Sequence, residues 1–133
     1  MANIVALDVG TKRIGVAVAD TLVPIATPLT TVIVDGDEIG SIGGIVKDRA
    51  AEVIVVGYPR NQSGDATSQT AITEALAARL EGMAKIVFQD ESLTSVMAED
   101  RLKASGKPYS KADIDAEAAA IILQDYLELH YAA

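Results

Sequence analysis

Four carboxylates carry the chemistry this sequence could perform: Asp8, the adjacent pair Asp90 and Glu91, and Asp115. Asp8 interrupts an otherwise apolar run, Asn3-Ile4-Val5-Ala6-Leu7-Asp8-Val9. An ionised carboxylate among apolar strand residues is costly unless something pairs with it. A metal ion, a buried base or a set of backbone amides would serve. The plainer alternative is a turn aspartate that caps the Gly10 loop. Asp115 heads a helical stripe with Ala118, Ala119, Ile122, Tyr126 and Leu129, at offsets of three and four. That stripe is apolar except at Asp115, which is therefore expected to look inward, although a helix-dipole role is the alternative. Asp113 and Glu117 fall on a more polar side with Gln124, and Asp113 is expected to serve the helix N-terminus in solvent.

The chain has no cysteine and one histidine, His130, close to its end and expected to be solvated. Converging carboxylates of this kind suit oxygen-loving Mg²⁺ or Mn²⁺ and not Zn²⁺. Two such ions, roughly 3.5–4 Å apart, can activate a water and stabilise the leaving oxygen of a phosphodiester.

The elements that must position these acids read as α/β. Asn3–Val9 and Ile14–Asp20 are apolar, β-branched runs joined by Gly10-Thr11-Lys12-Arg13, a hairpin pattern. Leu29–Val34 reads as a third strand. A helix follows from Asp37 to about Ala51, weakened by Gly40, Gly43 and Gly44. Glu52–Gly57 is a short continuous apolar run, which suits a strand covered on both faces. Tyr58–Asp65 is a polar loop, whose Asn61-Gln62-Ser63-Gly64-Asp65 portion could bond phosphate or ribose or could simply be a turn. Helices are predicted over Thr67–Glu81, from Thr94 to Ala104 and over Ala112–Leu129, with a strand over Ala84–Gln89. Three strands in a meander followed by β-α-β units predict a mixed five-stranded sheet with helices on both faces. Ligands of such sheets sit beyond the carboxyl ends of strands, which is where Asp8 and the Asp90–Glu91 pair fall.

At 133 residues the chain is expected to form one domain, residues 1–133, with a core of Val, Ile, Leu and Ala, since aromatics make up only 4%. No signal-peptide pattern opens it, and no apolar run approaches the about 20 residues needed to span a bilayer. A cytoplasmic protein with no membrane partner is the expectation.

Leu7-Asp8-Val9-Gly10-Thr11-Lys12-Arg13-Ile14-Gly15-Val16-Ala17 resembles the opening motif of the YqgF/RuvX family of the ribonuclease-H-like superfamily. Val56-Gly57-Tyr58-Pro59, Asp90-Glu91-Ser92-Leu93-Thr94-Ser95 and Asp115–Gln124 resemble its later motifs in order and spacing. The family is named for pre-16S ribosomal RNA nuclease and Holliday-junction resolvase activity. The resemblance implies a ribonuclease-H-like fold and a metal-dependent nuclease, with Asp8, Glu91 and Asp115 as catalytic, metal-holding acids. Asp90 becomes an additional ligand candidate. The favoured expectation is processing of the pre-16S rRNA 5′ end in ribosome biogenesis. The alternative is a Holliday-junction resolvase in DNA recombination or repair, which would need a homodimer to cut symmetric strands. Three positions depart from the family pattern: Ser92 in place of Arg, Tyr58 in place of Leu and Met97 in place of Glu. Losing the arginine removes a bidentate phosphate contact.

The net charge of −8 runs against a nucleic-acid partner, which usually meets a basic face. Bound divalent ions would reverse the sign locally. The bases also gather near the predicted site end. Lys12 and Arg13 follow Asp8, Arg60 follows the fourth strand, and Arg101, Lys103, Lys107 and Lys111 surround the 105–110 loop. These seven are the candidate nucleic-acid contacts, the last four as a mobile arm, with Tyr109 able to stack on a base. Two other classes stay open: a phosphotransferase-like domain, suggested by Asp8-x-Gly-Thr, and an inactive adaptor.

Overall fold

A computed structural model describes residues 2–59, 68–91 and 94–131. Nine elements follow in order: β1 (Asn3–Val9), β2 (Arg13–Asp20), β3 (Thr27–Ile33), α1 (Glu38–Asp48), β4 (Ala51–Pro59), α2 (Ser68–Leu80), β5 (Lys85–Glu91), α3 (Thr94–Ala104) and α4 (Lys111–His130). The sheet order is β3-β2-β1-β4-β5. The first three strands pair antiparallel, and β1–β4 and β4–β5 pair parallel. The expected mixed sheet is what forms.

Strand alternation splits the core in two. Val5, Leu7 and Val9 of β1 join Ile14, Val16, Ile54 and Val56 in a cluster with Ile42 and Val46 of α1 and Leu76 and Leu80 of α2. Ile4 and Ala6 join Ala17 and Val55 in a second cluster with Ala119, Ile122, Leu123, Tyr126 and Leu127 of α4. α3 lies outside α4 and packs Ala98 against Ala118 and Ile121.

Several boundaries differ from expectation for physical reasons. α1 stops at Asp48 because Arg49 caps it and Ala50 turns left-handed, with φ of 51°. β4 runs through Tyr58 and Pro59, and β5 runs through Asp90 and Glu91. The extensions pair with each other, Tyr58 with Asp90 and Pro59 with Glu91. A neighbouring strand's backbone overrides the low strand preference of Asp and Pro. The α4 stripe also ends early. Leu129 is 71% exposed, while Leu123 and Leu127 take inward positions.

Candidate active site

The site forms where β1, β2 and the head of α4 meet. Asp8 continues the Ile4–Ala6 side of β1, the side that faces α4, and is half-buried. Its register partner on β2 is Gly15. A side chain at Gly15 would place its Cβ 1.9 Å from the carbonyl oxygen of Asp115. No real Cβ tolerates that approach, so the missing side chain is what lets α4 settle on the sheet at this point. The contact sets Asp115 of α4 beside the strand pair that carries Asp8.

Further bonds hold the helix head. The Thr31 hydroxyl donates to the Ala112 carbonyl at 2.6 Å, tying α4 to β3. Ser110 caps the helix in a reciprocal box. Its hydroxyl accepts from the Asp113 backbone N–H, and the Asp113 carboxylate accepts from the Ser110 N–H at 2.8 Å. Asp113 therefore serves the helix end, as expected, which leaves Asp115 free of that duty. At the carboxyl end of β1, Gln69 of α2 donates to the Val9 carbonyl at 2.6 Å, pinning the strand end next to Asp8.

Asp115 has a cationic neighbour that its sequence position does not advertise. Arg13 Nε lies 2.5 Å from Asp115 Oδ2, across a separation of 102 residues. The two side chains are 33% and 21% exposed. Arg13 itself is set by the β1–β2 turn, where Gly10 N–H donates to the Arg13 carbonyl at 2.9 Å. A Cβ at Gly10 would lie 2.6 Å from that same oxygen. The two glycines of the first motif thus have separate tasks: Gly10 closes the turn beneath Arg13, and Gly15 admits Asp115.

The remaining acids divide. Glu91 ends β5 with its backbone paired to Pro59, and its side chain lies outside the described residues. Asp90 lies four residues beyond Ile86, which packs with the α1–α2 cluster, and it lines a groove with Tyr58, Glu74, Ala77 and Phe88. That is the opposite side of the sheet from Asp8. Among the described residues no three His, Cys, Asp or Glu side chains form one metal-sized group. The acids that meet at the Gly15 contact, Asp8 as its register partner and Asp115 through its backbone, offer hard carboxylate oxygens. His130 packs on Tyr126, with ring centroids 4.5 Å apart, at the far end of α4. The chemistry of this donor set fits Mg²⁺ or Mn²⁺ and not a soft metal.

The candidate nucleic-acid contacts divide too. Arg13 is engaged by Asp115. Arg101 lies 3.0 Å from Glu117, whose side chain is only 13% exposed, so this base ties α3 to α4. Lys12, Lys103, Lys107 and Lys111 are exposed. Their 105–110 loop, expected as a mobile arm, is held at three points. Ser105 and Gly106 donate back to the Arg101 and Lys103 carbonyls, Tyr109 donates to Glu99 at 2.8 Å, and Ser110 caps α4. The Glu99 carboxylate accepting that bond raises the Tyr109 phenol above its ordinary range. Arg60, the Asn61–Asp65 loop and Ser92 lie outside the described residues.

Sequence reasoning missed Gly15, Gln69 and Arg13 as the groups that shape the site. A glycine inside a strand was the one available signal, since it often marks close backbone approach.

A five-stranded sheet in this order, with carboxylates beside its central strand, defines a ribonuclease-H-like fold. Two solved structures share it. Thermus thermophilus RuvC superposes with a TM-score of 0.57 at 12% identity, covering 97% of each chain. T. thermophilus RuvC in complex with Holliday junction substrate gives 0.56 at 14% identity, covering 98% of each. A family model described as RuvX, Holliday junction resolvase, matches residues 2–129. The chain belongs to the RuvX family. Curated relatives carry the name "Putative pre-16S rRNA nuclease". One from Chloroflexus aurantiacus is 43% identical over 94% of this chain and 86% of its own length. Another from Lactococcus lactis is 36% identical over 97% and 96%.

Proposed function

We propose that this chain is a metal-dependent nuclease that hydrolyses phosphodiester bonds in structured RNA, with the 5′ end of pre-16S rRNA as its substrate and the cytoplasm as its place of work. The observation that supports the reading is the contact of the Asp115 backbone with bare Gly15, the register partner of Asp8. Family membership and the names of the relatives point the same way. Asp8 and Asp115 would hold Mg²⁺ or Mn²⁺, with Glu91 completing the acidic set. When bound, such ions supply an activated water and stabilise the leaving oxygen.

The protein's own part is placement. β1 fixes Asp8, α4 fixes Asp115, and the cap at Ser110 with the Thr31 bond keeps the helix head from drifting. Catalysis of this kind depends on holding groups in position, and small displacements are expensive. Lys12, Lys103, Lys107 and Lys111 supply exposed point charges for the phosphate backbone, which position a substrate without reading its sequence.

The test is side-by-side cleavage of a precursor-rRNA fragment and a mobile four-way DNA junction, each with Mg²⁺ and with Mn²⁺. Metal-dependent cutting of the RNA fragment is expected. Cutting of the junction alone would move the assignment to junction resolution, and cutting of neither would overturn the nuclease reading.

A further inference from the structure

We infer that Arg13 is a built-in stand-in for the metal at Asp115: its guanidinium occupies the carboxylate when no cation is bound and competes with the cation for it. The inference rests on the nuclease reading above, because it takes Asp115 to be a cation ligand.

The geometry carries the argument. Arg13 Nε lies 2.5 Å from Asp115 Oδ2, within charge-assisted hydrogen-bond range. The oxygen held this way is one of the two on Asp115 that a hard cation could take. The pair does nothing that α4 needs elsewhere. The helix end is capped by Ser110 and Asp113. The contact with β2 runs through the Asp115 backbone carbonyl against Gly15, not through the carboxylate. What the guanidinium does supply is positive charge at the Asp115 carboxylate.

Its mounting suits a competitor. The Arg13 backbone is fixed, since its carbonyl accepts from Gly10 N–H at 2.9 Å and the neighbouring Lys12 carbonyl accepts from Val34 N–H at 3.0 Å. The side chain is one-third exposed and can withdraw into solvent without disturbing the turn. Lys12 next to it is exposed and remains to meet substrate.

Competition and positioning predict opposite signs. If Arg13 competes, removing its charge tightens metal binding. If Arg13 only orients Asp115 for the metal, removing it weakens metal binding, as loss of an orienting group beyond the ligands generally does.

The experiment is Mn²⁺ binding to the full chain by calorimetry, without nucleic acid, for the wild type, Arg13→Gln, Arg13→Lys and Asp115→Asn, with thermal unfolding of each in the absence and presence of Mn²⁺. Arg13→Gln is expected to bind Mn²⁺ about tenfold tighter than the wild type, a typical size for coupling between two binding events. It should melt below the wild type without metal and close that gap with Mn²⁺. Arg13→Lys, which keeps a charge but not the planar donor, should fall between. Equal or weaker Mn²⁺ binding by Arg13→Gln, with Asp115→Asn still impaired, would overturn the stand-in role alone. Unchanged Mn²⁺ binding by Asp115→Asn would overturn the metal assignment at Asp115 and the stand-in role with it.

Discussion

The two faces of the central sheet are built from different residues. On the α1–α2 face β1 presents Val5, Leu7 and Val9, in a cluster with Ile42, Leu76 and Leu80. On the α4 face it presents Ile4 and Ala6 and then Asp8, with Ala17 beside it on β2 and Ala119 and Ala120 among the opposing residues of α4. Branched side chains fill the first interface, while the second sets alanines among Ile122, Leu123, Tyr126 and Leu127 and closes to backbone against bare glycine at Gly15. One face is built to be stable. The other gives up apolar volume at the carboxyl end of β1, where Asp8 stands and the Asp115 backbone meets Gly15. Acids occur on both sides, but with different company. Glu38, at the start of α1, is buried, and hydrogen bonds from its own backbone N–H and that of Gly36, then the charge of Arg79, hold its carboxyl below the ordinary range. That acid is fully accounted for by the chain around it. Asp115 is met by one guanidinium that can leave.

The comparison breaks most completely at Gly15. In Gly15→Ala the new methyl would sit 1.9 Å from the Asp115 carbonyl, so the head of α4 must lift. Cleavage should be lost, and stability should fall by about 3 kcal/mol, the upper part of the usual overpacking range. Gly44→Ala in α1, where nothing lies within 4 Å, should be neutral or stabilising. Cleavage assays with denaturant unfolding of both variants distinguish a site-specific clash from a general intolerance of alanine.

Next in size is the contrast within α4. Asp115→Asn should slow cleavage by about a hundredfold or more while the fold survives, because a group needed for placing transition-state charge is typically worth that much. Asp113→Asn should leave the saturated rate nearly unchanged, since its carboxylate serves Ser110. Equal rate losses would mean that the two acids do not have separate tasks.

Much of this division was legible in the sequence. Asp8 stood out because a carboxylate broke an apolar strand. Asp115 stood out because helical spacing placed it above Ala119 and Ile122. Local periodicity carries both signals. What it cannot carry is pairing between distant elements. The Arg13–Asp115 contact spans 102 residues, and it gives an expected phosphate contact a partner within the chain. Arg101 gains its partner Glu117 in a similar way, because α3 packs on α4. Asp90 was expected at a strand end beside Asp8, but β5 continues through it and alternation turns it to the other face.

The stable face should respond in the opposite sense. Leu80, the last residue of α2, is fully buried, and Leu80→Ala should cost about 2–5 kcal/mol in unfolding free energy. At temperatures where the variant remains folded, its cleavage rate should match the wild type. A rate loss beyond the folded fraction would show that the two faces are coupled. A smaller effect is expected at the cap, where Ser110→Ala should cost about 1 kcal/mol with a modest rate loss as the head of α4 loosens.

The most direct measurement of the central claim is the cleavage rate of Asp8→Asn on a precursor-rRNA fragment at saturating Mg²⁺, with circular dichroism to confirm the fold. The substitution keeps the size of the side chain and removes the charge that a cation would bind. The expected result is a folded protein with no detectable cleavage. A folded Asp8→Asn protein that cuts at the wild-type rate would contradict the metal-dependent site built from Asp8 and Asp115.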